Sequence, residues 1–405
     1  MPLGGRFPRP ILRFGKGTSI YPFEGLNMGL GPYRKKKHIR IGFLYDKRIE
    51  KEVKKFIERL FNGYKKFRGF TKIFDTYIEI KTISFKNFKE ARDEGVPDLI
   101  NTDIIIATVP DEVLKYEDED YYVPLKQDIS LLGKPSQMIR YSTIRWKSDN
   151  PYVIFNFAIN IYAKSGGIPW TLEEELTSEA VIGIDVYANF LALTLLHRPK
   201  DPTILWSYTF NPHVEIAPSL KEPILELLEK LYQINRKPIR KIIFHRDGIA
   251  HWSEIKMVRE ALDEAKRHGY IEEKCFYSII EVRKRIVPRL IRVSKNKVYN
   301  PEKGVYTWLQ KEAVLVSTTG FPERPIPEYS GLIKPVLINR VDTSDWDKPL
   351  LEQARDIYWL AQLHWGSAFT TPRIPITTLY SHKICRFLSQ GVYPPEEYQN
   401  TLWFL

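Results

Sequence analysis

The sequence predicts an α/β protein of two successive sheet-based units, and three observations carry that prediction. Residues 38–170 alternate buried-strand and amphipathic-helix patterns, the rhythm of a parallel sheet covered by helices. From residue 180 the order changes: three apolar strands follow one another directly, then a helix, then a fourth strand. Acidic residues, Asp185 and Asp247, stand at the heart of one of these strands and at the end of another.

The elements follow in chain order. The first 32 residues are rich in Gly and Pro and read as an irregular arm or small β element, and RKKKH at 34–38 is a basic hinge. IRIGFLY (39–45) is a buried-strand pattern, and EKEVKKFIERLFNGYKKF after it places apolar residues at helical spacing. YIEIKTISF, a helix near 86–94 and the buried strand TDIIIATVPD complete the visible part of the first unit. In the second, EAVIGIDVYANFLALTLLHRP holds two β-rich runs broken at Tyr187–Asn189, and TILWSYTF is a third strand. SLKEPILELLEKLYQI reads as a helix capped by Ser219, PIRKIIF as the fourth strand, and a helix follows near 253–268. Strands are expected around 275–287, 304–316 and 331–339, and helices near 349–366 and 378–390. Three antiparallel-type strands, a helix and another strand is the order of an RNase H-like core, and the first unit reads as Rossmann-like.

Composition narrows the function classes. A formal charge of +12, from 61 Lys and Arg against 49 Asp and Glu, favours polyanionic partners without specifying one. No stretch reaches the ~18 uninterrupted apolar residues of a spanning helix, so no direct membrane insertion is expected. The basic start MPLGGRFPRPILRFGKG has no apolar core of a secretory signal. Two scattered cysteines, Cys275 and Cys385, make neither a metal site nor a disulfide framework. A cytoplasmic setting is the expectation.

An acid inside the apolar run VIGIDV must be paired, hydrogen-bonded or bound to a cation. If the first and fourth strands are neighbours, Asp185 and Asp247 converge, and converging carboxylates suit Mg²⁺ or Mn²⁺. Either aspartate alone fits a turn-capping role equally well; the pair in this order favours metal. The trio His245-Arg246-Asp247 also matches a kinase catalytic loop. The Gly-rich loop, strand Lys and Asp-Phe-Gly that would go with it are missing from the sequence.

Taken together, GIDV, IIFHRDG and PITTLYSHK resemble the PIWI domain of Argonaute proteins, and the upstream unit is similar to their MID domain. LRFGKGTSIYPFEGLNMGLGPY is similar to the N-terminal arm of the compact archaeal members. The resemblance implies an N-terminal arm at 1–37, a MID domain at 38–170 and an RNase H-like PIWI domain at 171–405. It implies a catalytic tetrad in which Asp185 and Asp247 match the aspartates and His382 the final ligand. Glu215 falls at about the place of the loop glutamate, with Glu222 as the other candidate. It also implies a 5′-phosphate pocket at Tyr122, Lys126, Gln137 and Lys164, in which Tyr stacks on the first guide base and the lysines neutralise the phosphate. Asn160 stands where some relatives carry another Lys. The carboxylate of Leu405 would help hold a divalent ion there.

Three functions are weighed on this basis. The first is guide-directed recognition of complementary DNA or RNA, in host defence against invading DNA and with an associated effector protein. The second is a guided endonuclease cutting the target by two-metal hydrolysis. The third is a guide-independent RNase H-like nucleic-acid-binding protein. The resemblance to compact members, the approximate register of Glu215 and the crowded turn at Tyr187 and Phe190 tilt the expectation toward recognition without efficient cleavage. Trp346, Trp359 and Trp365 fit either a docking face or a core stripe.

Overall fold

A computed structural model of the chain describes residues 3–111, 121–198, 200–210, 215–285, 287–320, 331–344, 349–394 and 401–405. It contains two compact units, each assembled from separate stretches of chain. One comprises Leu12–Thr171, Trp365–Phe369 and Gln390–Leu405; the other comprises Met1–Ile11, Leu172–His364 and Thr370–Ser389. The chain passes from one unit to the other at Thr171/Leu172. Residues 1–37, expected as a separate arm, divide between the two units at Ile11/Leu12, and residues 365–369 and 390–405 pack with the first unit.

The first unit is built on four parallel strands: β1 (His38–Asp46), β2 (Tyr77–Phe85), β3 (Ile104–Val109) and β4 (Ser136–Arg140), in spatial order β2-β1-β3-β4. Every residue of β3, IIIATV, is buried, as a parallel strand covered on both faces requires. Its longer helices are α1 (Glu50–Asn62), α2 (Tyr122–Leu131) and α3 (Pro151–Lys164). α3 starts at an Asn-Pro pair. Asn150 Oδ1 accepts from the Tyr152 amide at 3.0 Å, and Pro151 supplies a preset φ at the first position. The helix expected near 86–94 is a single turn, Phe88–Glu90, running into a wide turn at Ala91–Gly95.

The second unit is a nine-stranded sheet. Its central strands are β5 (Ala180–Tyr187), β6 (Phe190–His197), β7 (Thr203–Phe210), β8 (Ile239–Asp247) and β9 (Ile271–Arg283). Beyond them lie β10 (Val305–Gln310), β11 (Ala313–Val316), β12 (Val336–Thr343) and the short strand Gly4–Arg6. The spatial order is Gly4–Arg6, β10, β11, β12, β9, β8, β5, β6, β7. Only β5/β8 and β8/β9 are parallel; the remaining pairs are antiparallel. This is the RNase H-like arrangement, with the first and fourth strands adjacent.

Four helices belong to this unit: α4 (Lys221–Asn235), α5 (Trp252–Arg267), α6 (Leu350–Gln362) and α7 (Ile376–Leu388). α4 buries Ile224, Leu227, Leu228 and Leu231, and α5 buries Val258, Ala261, Leu262 and Ala265. Both sets repeat at i, i+3, i+4 and i+7, one face of a helix. They pack on the inward residues of β5 and β8, each buried Leu contributing about 1.5–3 kcal/mol. Ser219 does not cap α4: it lies in the 3₁₀ turn Ala217–Ser219, and the cap position belongs to Leu220. The strand expected over 304–316 is the hairpin β10–β11, and an unanticipated hairpin joins Arg292–Ser294 to Lys297–Tyr299. Trp359 and Trp365 are core residues, their indole nitrogens donating to Pro8 O at 3.0 Å and Trp170 O at 2.9 Å. Trp346 lies outside the described residues.

Candidate metal centre and phosphate pocket

The side-chain alternation of a strand decides where the acids of the second unit point. On β5, Ala180, Ile182 and Ile184 enter the core beneath α4 and α5, and on β8 Ile242 and Phe244 do the same. Gly183, Asp185, His245 and Asp247 therefore face the opposite side, where α7 lies. Gly183 makes the approach possible: a Cβ there would sit 2.2 Å from the Thr377 carbonyl carbon and 2.7 Å from the Thr378 nitrogen. Ser381 Oγ then donates to Gly183 O at 3.0 Å, and His245 Nδ1 lies 3.0 Å from Thr377 Oγ1.

One helical position beyond Ser381, His382 reaches Asp185. His382 Nδ1 lies 2.8 Å from Asp185 Oδ2. The pairing of β5 with β8, with Arg246 opposite Ile184, brings Asp247 alongside. Ligand atoms of Asp185, Asp247 and His382 lie within 4.8 Å of one another. The two carboxylates are the hard oxygen donors that Mg²⁺ or Mn²⁺ takes, with the borderline imidazole nitrogen beside them. Burial and the neighbouring Asp185 charge push Asp247 above the usual carboxylate range, against the pull of Lys284, whose Nζ donates to Asp247 Oδ2 at 2.5 Å.

The remaining members of the charged trio have structural work. Arg246 Nε donates to Glu254 Oε2 at 2.8 Å, fastening the start of α5, and its Nη1 donates to Asp247 O at 2.5 Å. Gly248, at φ +104°, turns the chain after Asp247, and its amide donates to Val282 O at 3.2 Å. Tyr187 stands edge-on to His382 with ring centroids 6.1 Å apart. Glu215 is exposed and outside the three-residue cluster, and residues 211–214 before it lie outside the described residues. Glu222, in the first turn of α4, is exposed as well.

In the first unit Lys126, Gln137 and Lys164 come together around β4. Lys126, on α2, and Lys164, the last residue of α3, are each only 4% exposed. Lys126 Nζ donates to Ser136 Oγ at 3.0 Å, and Lys164 Nζ donates to Ser136 O at 2.8 Å and Gln137 Oε1 at 3.0 Å. Tyr122 opens α2 and is partly exposed. Asn160 serves packing, its Nδ2 donating to Asn156 O at 2.7 Å and Gly366 O at 3.0 Å. The tail returns to this unit: Gln127 Nε2 donates to Gln390 O at 3.0 Å, Phe404 is buried, and Leu405 is half-buried.

Two functional candidates escaped the sequence. Ser136, on which both ammonium groups converge, has no residue-type signal beyond preceding Gln137. Lys284 is hidden in the basic run Arg283-Lys284-Arg285, which reads as a solvated face.

The family model of the Piwi domain matches residues 112–392. Protein argonaute of Aquifex aeolicus is 25% identical over 377 residues, covering 89% of this chain and 49% of that protein. Protein aubergine of Drosophila melanogaster is 22% identical over 307 residues, covering 67% of this chain and 33% of that protein. The chain thus spans half or less of the length of these relatives. Among solved structures, Clostridium butyricum Argonaute bound to a guide DNA and a 19-mer target DNA superposes with a TM-score of 0.79 at 24% identity. That match covers 99% of this chain and 54% of the other. Drosophila Piwi gives a TM-score of 0.79 at 16% identity, covering 99% and 56%. Among the described residues, no helix is long and apolar enough to cross a membrane.

Proposed function

Because the chain belongs to the Piwi-domain family of Argonaute proteins, we propose that it recognises nucleic acid complementary to a bound guide strand. The observation that carries this reading is the convergence of Lys126 and Lys164 on Ser136, beside Gln137. Lys126 and Lys164, both almost wholly buried, share Ser136, so an entering phosphate with about −1.5 to −2 charges would be met by both ammonium groups. Tyr122, at the exposed edge, stacks on the first base, and Leu405 supplies its carboxylate to a divalent ion on the guide's first phosphates. Residues 38–170 thus act as the MID domain and the stretch from 171 as the PIWI domain. Base pairing reads the target sequence, while the protein holds backbone.

The cluster of Asp185, Asp247 and His382 supports a second reading, guided cleavage of the target. A divalent ion held there supplies Lewis-acid activation of a phosphodiester. The exposed position of Glu215 outside the cluster favours recognition without efficient cutting. In this reading the protein acts in the cytoplasm against invading DNA and passes the signal to an effector protein, as the likeness to compact family members suggests.

The test compares guides with 5′-phosphate and 5′-hydroxyl ends, as DNA and as RNA. Replacing Lys126 and Lys164 together with Ala is expected to erase a preference of roughly 100-fold, the sum of two charge-assisted contacts. A preference that survives the double replacement sinks the pocket. Labelled complementary target, with Mn²⁺ added, tells cutting from binding in the same samples.

A further inference from the structure

We propose that Lys284 is a displaceable internal counter-ion of Asp247, competing with a divalent cation for that carboxylate; this rests on the metal reading of the cluster above. The ammonium lies 2.5 Å from Asp247 Oδ2, and the carboxylate itself is almost wholly buried while the Lys284 side chain keeps about a quarter of its surface. A divalent ion bound to a carboxylate sits about 2.0–2.6 Å from its oxygen, so ammonium and metal claim the same atom. Even bound to the other oxygen, the metal would meet an unscreened positive charge across a single carboxylate.

The arrangement is built rather than accidental. Lys284 directly follows β9, and β9 is fixed in register beside β8 with Val282 opposite Asp247. Glu281, buried on the same strand, holds the neighbourhood together. It accepts from the Ala250 amide at 2.9 Å, from Asn339 Nδ2 at 2.7 Å and from Arg283 Nε at 2.8 Å. Arg283 is thereby engaged with Glu281, and Lys284 is directed to the acid cluster. Its partial exposure gives it a way out, toward solvent or a nucleic-acid phosphate. Metal affinity and the position of one lysine are then coupled, and a ligand that draws Lys284 away raises the affinity for metal by the same factor that metal raises its own.

The test is Mn²⁺ binding to the full chain without nucleic acid, read as loss of the free-ion electron paramagnetic resonance signal. Lys284→Met is expected to bind Mn²⁺ roughly tenfold tighter than the unaltered protein, and Lys284→Arg to bind no tighter. His382→Ala weakens binding in either background. A second readout needs no variant: Mg²⁺ is expected to speed amine-reactive labelling of Lys284 severalfold, since displacement frees the ammonium. Binding lost in His382→Ala but unmoved in Lys284→Met, or a labelling rate indifferent to Mg²⁺, overturns the competition alone. Binding indifferent to both replacements removes the metal centre itself.

Discussion

In the parallel-sheet unit Lys126 and Lys164 converge on the neutral oxygens of Ser136 and Gln137; in the mixed-sheet unit Asp185 and Asp247 converge beside an imidazole and an ammonium. Both units bury charge at the end of a strand, with opposite sign and different partners. In the first site the two ammonium groups share Ser136, and in the second Lys284 already pairs with one of the two carboxylates. Buried charge of either sign is a ligand-sized request, and what surrounds it sets how readily the request is met.

The comparison breaks most sharply at Gly183. Its replacement by Ala forces α7 off β5, with expected destabilisation of at least about 3 kcal/mol and separation of His382 from Asp185. Thermal melting and Mn²⁺ binding read both effects, while 5′-phosphate discrimination by the other unit is expected to survive. Loss of both sites together would show that the units do not behave separately.

Acid sharpens the same contrast. Burial pushes His245 and His364 down to about 3, and His197 to about 4, and all three belong to the mixed-sheet unit. Their folded values lie below the ordinary 6.5, so the unfolded chain binds more protons there. The stability they provide is present above pH 6.5 and is lost as the pH falls toward 4, at about 1.4 kcal/mol per histidine per pH unit. Asp247 and Asp356, held above the usual carboxylate range by burial, oppose this between their raised values and the ordinary 3.8, where the folded chain binds the extra proton. His364→Gln is expected to remove one histidine's portion of the slope between pH 6.5 and 5. An unchanged slope in pH-dependent melting would refute the assignment.

Ser136→Ala is the gentlest probe. It removes the hydroxyl that Lys126 uses and leaves the carbonyl that Lys164 uses. The expected loss of guide affinity is about 1 kcal/mol, measured by titration with 5′-phosphorylated guide, with no change in Mn²⁺ binding.

Which features were legible follows from what periodicity encodes. Asp185 announced itself because a carboxylate in VIGIDV breaks an apolar run, and Asp247 because it ends one. Strand order followed from the succession of apolar segments, and the order of β5 to β9 agrees with it. The pocket lysines were found through family likeness, since no local pattern separates Lys126 from a surface lysine. Contacts distant in sequence left no trace: Gly183 against Thr377, Lys284 against Asp247, and the return of residues 390–405. Glu215 shows the converse limit, because a register match places a residue on a loop and says nothing of where that loop points.

The interleaving of the two units has a consequence for synthesis. The ribosome makes the four parallel strands first, yet Phe404, buried in their unit, emerges among the last residues of this sequence. The strand Gly4–Arg6 waits as well, since its partner β10 is made some 300 residues after it. Neither unit can close its core as it is translated, so both carry long-range contacts of the kind that slow folding and keep apolar surface open to chaperones. Severing the chain at Thr171 would yield two fragments, each lacking a piece of itself.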